Sequence, residues 1–281
     1  MRLRNSYVKA WIKQYQSIIE KPILTSFVVL LALSVVVLGL SYQYYEEDTY
    51  NFVGQVLAEA HGMLFDIAII GILIYWLNEN GQRRLRIRTY VDEIEDFRLW
   101  ESEEAAFRTV GNIKRLNRHR IYKIDLVNCH LARTNLSYVT LRGANLNSAN
   151  FAHSNLIECN LENARMNQTN FAGANLNQAQ LQKSFASGTN FRRASMIMAN
   201  LSRAFLIKAD FESALLTEAN LRGALLMGAD FTNANLHKAD LRDTEGLTVE
   251  QLLLAKTLYQ AQLDPHILVQ IEEINAELLI R

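Results

Sequence analysis

The sequence predicts a stacked solenoid of square coils that follows a pair of membrane-spanning helices. Three observations lead to this prediction. An apolar residue recurs at every fifth position over about 120 residues, phenylalanine recurs at every twentieth position within that series, and two long apolar runs lie in the first 80 residues. A fixed internal period is typical of solenoids, and an uncharged run of about 20 residues is typical of a transmembrane helix.

The five-residue period runs without interruption from Leu126 to Leu241. Of its 24 positions, here called pulse residues, 16 are Leu, five are Phe, two are Met and one, Ala186, is Ala. The residue two positions before each pulse residue is usually small, and it is Ala in 15 of the 24 cases. Each repeat therefore offers one large and one small residue to the inside of a narrow coil.

Phenylalanine indicates the length of one coil. The five pulse phenylalanines are spaced 20 residues apart, at Phe151, Phe171, Phe191, Phe211 and Phe231. Four pentapeptides per coil make a square with one pentapeptide on each side, so these rings are expected to stack on one side of successive coils. Coils joined as parallel strands lie about 4.8 Å apart, so six coils predict a rod roughly 29 Å long.

The repeated phrase Ala-Asn/Asp-Leu-X-X, as in Ala144-Asn145-Leu146, resembles the pentapeptide-repeat family over about residues 121–245. The resemblance implies a right-handed quadrilateral parallel β-helix of about six coils. Ala186 departs from the pattern, with Phe185 beside it at an outward position, which indicates a local irregularity. Similar repeats that carry an N-terminal transmembrane hairpin point to a membrane-anchored bacterial type.

Two apolar runs predict that hairpin. We assign the spans to residues 22–43 and 61–78, and the second contains one charged residue, Asp66. At 1.5 Å per residue, each helix is long enough to cross a hydrocarbon core of about 30 Å. A cleaved signal peptide is the alternative for the first span, but the segment before it is long and no clear Ala-X-Ala site follows.

The charges that flank the spans predict their orientation. Residues 1–21 are basic, and the loop at residues 44–60 is acidic and has no Lys or Arg. A second basic group follows the hairpin and consists of Arg83, Arg84, Arg86 and Arg88. The positive-inside rule predicts a two-span membrane protein with both termini and the β-helix in the cytoplasm. The arginines are expected at the headgroups of the lipid bilayer. The sequence does not distinguish the plasma membrane from the thylakoid membrane.

Helices are expected to cover both ends of the solenoid. Residues 79–120 predict a juxtamembrane helix and a second helix that begins after its N-cap, Ser102. Residues 246–281 predict C-terminal capping helices, one from Thr248 through Tyr259 and one from Pro265 to about Ile280. Such caps are needed because an open coil exposes unpaired strand edges and apolar core.

The sequence contains no pattern that predicts catalysis. It has no glycine-rich phosphate loop, no zinc-ligand spacing and no nucleophile elbow, and its six histidines lie in no cluster with carboxylates. Cys129 and Cys159 occupy inward small-residue positions and are expected to be reduced packing residues. The Asn and Asp residues of the repeat are expected to form turn hydrogen bonds. We therefore predict no enzyme, no cofactor and no metal site.

The charge of the solenoid argues against a nucleic-acid partner. Residues 121–245 carry 12 Lys or Arg and 10 Asp or Glu, so this segment is nearly neutral. Some members of the resembled family mimic DNA and bind type II topoisomerases through an acidic face, which this balance does not favour. Direct binding of nucleic acid is also not expected, since no basic stripe with interleaved aromatic residues is present.

One side of the square predicts an interaction surface. On the side that holds Ala186 and Leu206, five outward positions on three successive coils are apolar. We call them the apolar ladder: Phe185, Phe205, Ile207, Leu225 and Met227. Contiguous exposed apolar surface is typical of contact sites, so a homo-oligomer or a protein partner is expected here. The alternative is that the C-terminal helices cover the ladder.

Three functions remain open. The preferred one is a membrane-anchored scaffold or oligomerisation module that binds a cytoplasmic protein through its rod. The second is a membrane effector or channel-like subunit, active in stress or defence, whose assembled hairpins alter permeability. In that case Asp66 would line an ion pathway or support assembly of the helices. Otherwise it is a hydrated or helix-paired residue near the headgroups. The third is an accessory subunit of a larger membrane complex.

Overall fold

The computed structural model describes residues 22–42 and 52–280. The chain divides into two compact units, Met1–Arg86 and Ile87–Arg281. The predicted basic N-terminus and the most acidic part of the predicted loop, residues 43–51, lie outside the described residues.

Two helices contain the apolar runs. Helix α1 comprises Pro22–Ser41 and carries no charged residue, and helix α2 comprises Phe52–Asp96. In the described part of the chain, one helix, Val53–Asp96, is long and apolar enough to cross a membrane by length and composition, and none of its most apolar stretch is buried. The two-span hairpin stays a prediction. Helix α2 begins inside the predicted loop and runs 45 residues, and no proline interrupts it.

The second unit contains a parallel β-helix. In the described chain, 21 of the 23 isolated bridges join equivalent residues of successive groups of four pentapeptides, from Asp125 with Asn145 to Leu225 with Glu245. One coil therefore contains four pentapeptides, as the phenylalanine spacing predicts. The bridges involve single residues, so the coils are held without the extended strands that the sequence suggested. A turn after every pentapeptide leaves no room for longer ones.

Each corner of the coil is a tight turn. The Cys129 N–H donates to the Leu126 carbonyl at 3.1 Å, and the same i+3 bond follows most pulse residues. Of the two residues between them, Asn128 has a φ of 58°, in the left-handed region that Asn and Gly tolerate best. The Asn before the pulse residue supports the next turn, because the Asn150 Oδ1 accepts the Ala152 N–H at 3.0 Å. The repeated Asn and Asp residues thus have a structural role.

The core of the β-helix is continuous. Every pulse residue from Leu126 to Leu241 is fully buried, including Ala186. The pulse phenylalanines form a stack with ring centroids 5.1–5.5 Å apart and planes within 13° of parallel. This stack confirms the square coil, because rings separated by four repeats meet only if four pentapeptides complete one turn.

Helix α3, Glu103–Arg118, covers the first coil. Its N-cap is Ser102, which accepts the Ala105 N–H through its Oγ at 3.2 Å. Ile113 and Leu116 of α3 are fully buried in the core that the first coil begins. The helix therefore removes from water the apolar end that an uncapped solenoid would expose.

Two side chains satisfy the open edge of the first coil. The Asn117 Oδ1 accepts the Thr140 N–H at 2.7 Å, and the Arg98 guanidinium donates to the Val127 carbonyl at 3.0 Å. Both backbone groups belong to the coil that has no neighbour on this side. The cap thus supplies hydrogen bonds as well as apolar contact.

The C-terminal end differs from the prediction. Helix α4 comprises only Val249–Leu253, so the helix expected to reach Tyr259 is wrong in its length. The chain then resumes the coil, since Thr257 pairs with Asn235 and Gln262 pairs with Asp240. The physical reason is a further five-residue step in the core, because Leu258 and Leu263 are both buried. The solenoid therefore extends beyond residue 245.

The last elements close this final turn. Helix α5 comprises Pro265–Asn275, and a 3-10 helix, Ala276–Leu279, follows it, so the regular helix ends before the predicted Ile280. Side chains again satisfy the exposed edge, because the Gln251 amide donates to the Leu226 and Ala229 carbonyls at 3.1 and 2.6 Å.

Candidate interaction surface

The apolar ladder lies along one bridged column of the β-helix. Phe185 pairs with Phe205, and Phe205 pairs with Leu225, so the three residues occupy equivalent places on successive coils. The Phe185 and Phe205 rings are stacked, with centroids 4.8 Å apart and planes 6° from parallel. Ile207 and Met227 occupy the next outward column on the same side. The structure thus brings all five sequence-predicted residues together.

Much of the ladder is accessible to solvent. Phe185 and Phe205 are each 41% exposed and Met227 is 57% exposed, whereas Ile207 and Leu225 are half-buried between their neighbours. In the part of the chain that the structure describes, α4 and α5 leave the three exposed side chains uncovered. The alternative that the C-terminal helices cover the ladder therefore does not describe this structure.

A second apolar group lies on the side that holds Met196 and Leu216. We call Ile197, Met198 and Leu215 the opposite patch, because two pentapeptides correspond to half of a coil. Met198 and Leu215 are 49% and 43% exposed. These residues were not among the predicted sites, although they follow the same pattern as the ladder, with outward apolar residues on one side of successive coils.

A third exposed apolar group comprises residues between α2 and α3 and one residue near the start of α3. Leu99, Trp100 and Phe107 are each more than half exposed, and Trp100 meets Phe97 edge to face at 5.5 Å. The Arg108 guanidinium lies over the Phe97 ring at 5.6 Å. The exposed aromatic side chains of this group were not among the sequence-predicted site residues. Leu99 and Trp100 lie in a short segment without periodicity, which gives no pattern by which to find them.

The outward charges of the β-helix alternate in sign over short distances. Arg142 pairs with Glu162 at 3.2 Å and Arg222 pairs with Asp243 at 2.8 Å, each between neighbouring coils. Mixed pairs of this kind do not build a face of a single sign.

One group of carboxylates could, by spacing alone, hold a cation. Oxygens of Asp210, Glu212 and Asp230 lie within 4.8 Å of one another. The Arg192 guanidinium already contacts this group, since it pairs with Asp210 at 3.4 Å and also with Glu212. Arg192 supplies the positive charge that the carboxylates require, and the structure gives no reason to assign a metal there.

The two cysteines are buried in the core and unpaired with each other. Burial raises the pKa of the Cys129 thiol to about 11 and that of the Cys159 thiol to about 12. Both thiols therefore stay protonated near neutral pH, which makes them poor nucleophiles and poor metal ligands.

The remaining sequence-predicted residues lie on α2. Asp66 is exposed on the apolar part of this helix. The predicted basic group consists of Arg83, Arg84, Arg86 and Arg88 and lies within two helical turns. Arg86 pairs with Glu79 at 3.3 Å and Arg88 pairs with Asp92 at 3.7 Å, both on the surface. The structure contains no bilayer, so the headgroup contacts stay a prediction.

The geometry of the second unit defines a quadrilateral β-helix solenoid with an exposed apolar ladder. The family profile described as pentapeptide repeats matches it in eight copies, over residues 124–163, 154–193, 169–206 and 209–244. The profile and the coil geometry together support the pentapeptide repeat family for this segment, and with it a right-handed β-helix. No curated protein sequence matches the chain.

Several solved structures resemble part of the chain. A pentapeptide repeat protein from the Arabidopsis thaliana thylakoid lumen is 28% identical over 36% of this chain and 71% of its own, with a TM-score of 0.36. A pentapeptide repeat protein from Nostoc Pcc 7120 is 29% identical over 41% of this chain and 84% of its own, with a TM-score of 0.26. QnrB1, a plasmid-mediated fluoroquinolone resistance protein, is 20% identical over 54% of this chain and 84% of its own, with a TM-score of 0.32.

Proposed function

We propose that this protein is a membrane-anchored scaffold that binds a cytoplasmic protein through the apolar ladder. The supporting observation is the stacked and exposed pair Phe185 and Phe205, continued by Leu225 on the next coil. Exposed aromatic rings that a rigid backbone holds in fixed positions lose little conformational entropy on binding, so they suit an interface.

The rigidity of the rod supports this role. Each ladder residue sits on a coil whose backbone is bonded to both neighbours, and the Phe205 N–H donates to the Ser184 carbonyl at 2.8 Å. The pulse residues behind the ladder, Ala186, Leu206 and Leu226, are fully buried. A partner would therefore meet a preformed surface, and little free energy would be spent on ordering it.

The apolar helices support the anchoring part of the proposal. Helix α1 is uncharged over 20 residues, and α2 carries a long apolar stretch that no other described residue buries. An apolar surface of this length is unfavourable in water and favourable in a hydrocarbon core. The basic group that follows it on α2 favours a cytoplasmic position for the β-helix.

The proposal is tested by placing charge on the ladder. Phe205→Asp combined with Leu225→Asp should reduce the mass of the full-length complex gently solubilised from its native membrane, because each carboxylate would lose hydration in an apolar contact. Asn200→Asp combined with Asn220→Asp is the matched control. It adds the same charge at equivalent positions of another side and keeps the oxygens that accept the Ser202 and Arg222 N–H groups.

The outcomes separate clearly. A complex that persists in the wild type and the control, and is lost in the ladder variant with a native circular dichroism spectrum, supports the proposal. Equal masses for all three proteins would contradict it.

A second candidate function rests on Asp66. A carboxylate on an apolar helix costs roughly 3 kcal/mol near the centre of a bilayer, so such residues often serve ion pathways or helix assembly. A channel-like subunit would require several copies of this helix to pack around Asp66. The scaffold is preferred because it needs only the surface that the described β-helix already presents.

A further inference from the structure

The apolar ladder and the opposite patch occupy the same part of the rod. Met198 lies between Phe185 and Phe205 in the chain, so along the solenoid it also lies between the two stacked rings. A full coil rises about 4.8 Å, which leaves Met198 less than one coil from either ring. Two exposed apolar surfaces thus lie back to back across the β-helix.

The direction of the chain also makes the two surfaces complementary. Opposite sides of a square coil run in opposite directions. A second copy can be placed beside the first without rotation, by a shift that also moves it part of a side length along the face. The column before the pulse residues on one copy then faces the columns after the pulse residues on the other. Phe185 and Phe205 of one copy then face Ile197 and Met198 of the next.

The same shift aligns the second column of the ladder. Ile207 and Met227 would face Leu215, which lies between them in the chain. Along the axis of the rod, Leu215 therefore also lies between the side chains of Ile207 and Met227. Alternation of this kind allows side chains to interdigitate, as they do in well-packed interfaces.

Charges at the edge of the two surfaces complement each other. Arg165 continues the ladder column one coil before Phe185, through a direct bridge. Glu158 lies in the same column as Met198, two coils before it, and slightly precedes Arg165 in the chain. Both side chains are exposed, and the structure shows neither in an ion pair within the described residues. The sideways shift brings these opposite charges within about half a coil in height.

We propose that the partner of the apolar ladder is the opposite patch of a second copy of this chain, with the two rods parallel and at the same height. This inference rests on the proposed function, since it names the occupant of the same ladder. Because the two surfaces are different, the contact is heterologous, and the pair retains one free ladder on one copy and one free opposite patch on the other. Repetition of the contact therefore produces a row of rods, not a closed dimer.

Cysteine cross-linking distinguishes this arrangement from others. The background is the full-length chain with Cys129→Ala and Cys159→Ala, which places the commonest small residue of the repeat at both positions. Differently tagged copies carrying Phe185→Cys or Met198→Cys are co-expressed and treated in native membrane vesicles with a short bismaleimide. We expect the dimer that contains one copy of each tag. Asn200→Cys replaces Met198→Cys in the control and should give little product.

The other products contradict the proposal in recognisable ways. Cross-linking of Phe185→Cys copies alone would place two ladders face to face, and cross-linking of Met198→Cys copies alone would do the same for two opposite patches. Self-association through these surfaces would be overturned if neither cysteine pair gave the mixed product while the circular dichroism stayed native. The two pairs are Phe185→Cys with Met198→Cys and Ile207→Cys with Leu215→Cys. If the Asp variants of the ladder still reduced the mass of the complex, the scaffold would stand with a different partner.

A charge exchange tests the relative height of the copies. Arg165→Glu on the Phe185→Cys copy, or Glu158→Arg on the Met198→Cys copy, should each reduce the yield of the mixed dimer. The two changed copies together should restore it, because the pair is reversed and not lost. Failure of this restoration, with both single changes reducing the yield, would contradict the same-height arrangement.

Discussion

The phenylalanine stack permits a quantitative test of the core. Phe191 is fully buried and lies between Phe171 and Phe211, with ring centroids at 5.5 and 5.1 Å. Truncation of a buried Phe to Ala costs about 3–5 kcal/mol. Each ring contact contributes about 0.5–1.5 kcal/mol beyond its buried area, so the loss of two contacts places Phe191→Ala near the upper end, at about 4–5 kcal/mol.

Two other variants serve as controls for this value. Phe191→Leu keeps most of the apolar volume and introduces the residue found at 16 of the 24 pulse positions. We expect it to cost about 1–2 kcal/mol, mostly through the lost ring contacts. Phe231→Ala removes a ring with one stacking neighbour in the described chain, Phe211, and should cost about 1 kcal/mol less than Phe191→Ala.

The assay is unfolding of the full-length protein in detergent by guanidinium, followed by circular dichroism. The free energy of unfolding is compared at equal detergent and protein concentrations. Equal losses for Phe191→Ala and Phe231→Ala, together with no measurable loss for Phe191→Leu, would refute the reasoning, because the stacked rings would then add nothing to simple apolar volume.

Three further predictions concern other parts of the chain. Because burial raises the thiol pKa of Cys129 to about 11 and of Cys159 to about 12, from 9.0, both thiols should resist maleimide at pH 7 until denaturant unfolds the rod, and their contribution to stability should fall as pH rises above about 9. Gly246→Ala should cost about 1–2 kcal/mol in chemical unfolding, since this residue has a φ of 73° and its added Cβ would lie 3.1 Å from the Met227 backbone nitrogen. Asp66→Asn should leave ion flux in liposomes unchanged if the protein is a scaffold, whereas a changed flux would favour the channel-like alternative.

The regular part of the fold could be predicted because one period sets several properties at once. A pulse residue such as Leu126 indicates the buried side and the position of the next turn, and the 20-residue spacing of the phenylalanines indicates the coil length. The C-terminal end could not be predicted in the same way. Thr248 and Gln251 form the capping box of a helix, and that local signal gives the start of α4 but not its early end at Leu253. The buried positions of Leu258 and Leu263 decide where the coil resumes.

Part of the candidate interaction surface could also be predicted from the period of the sequence. Phe185 and Phe205 could be placed together because the coil length of four pentapeptides fixes which outward residues are neighbours. Their exposure could not be obtained from the period, since it depends on where α4 and α5 pack. The opposite patch contains Met198 at a turn position with a φ of 56°, where an apolar residue is unexpected and easily overlooked.

Bridged residues are four pentapeptides apart, and this spacing limits which insertions and deletions preserve the surfaces of the rod. The side on which a residue lies depends only on its position within the coil. An insertion of four pentapeptides would lengthen the rod and leave every later residue on its side. An insertion of one pentapeptide would keep the core register and rotate all later outward residues by a quarter turn, so such an insertion between Phe185 and Phe205 would move them to adjacent sides. Insertions of whole pentapeptides are therefore compatible with the fold, but only insertions of whole coils preserve a surface that spans several coils.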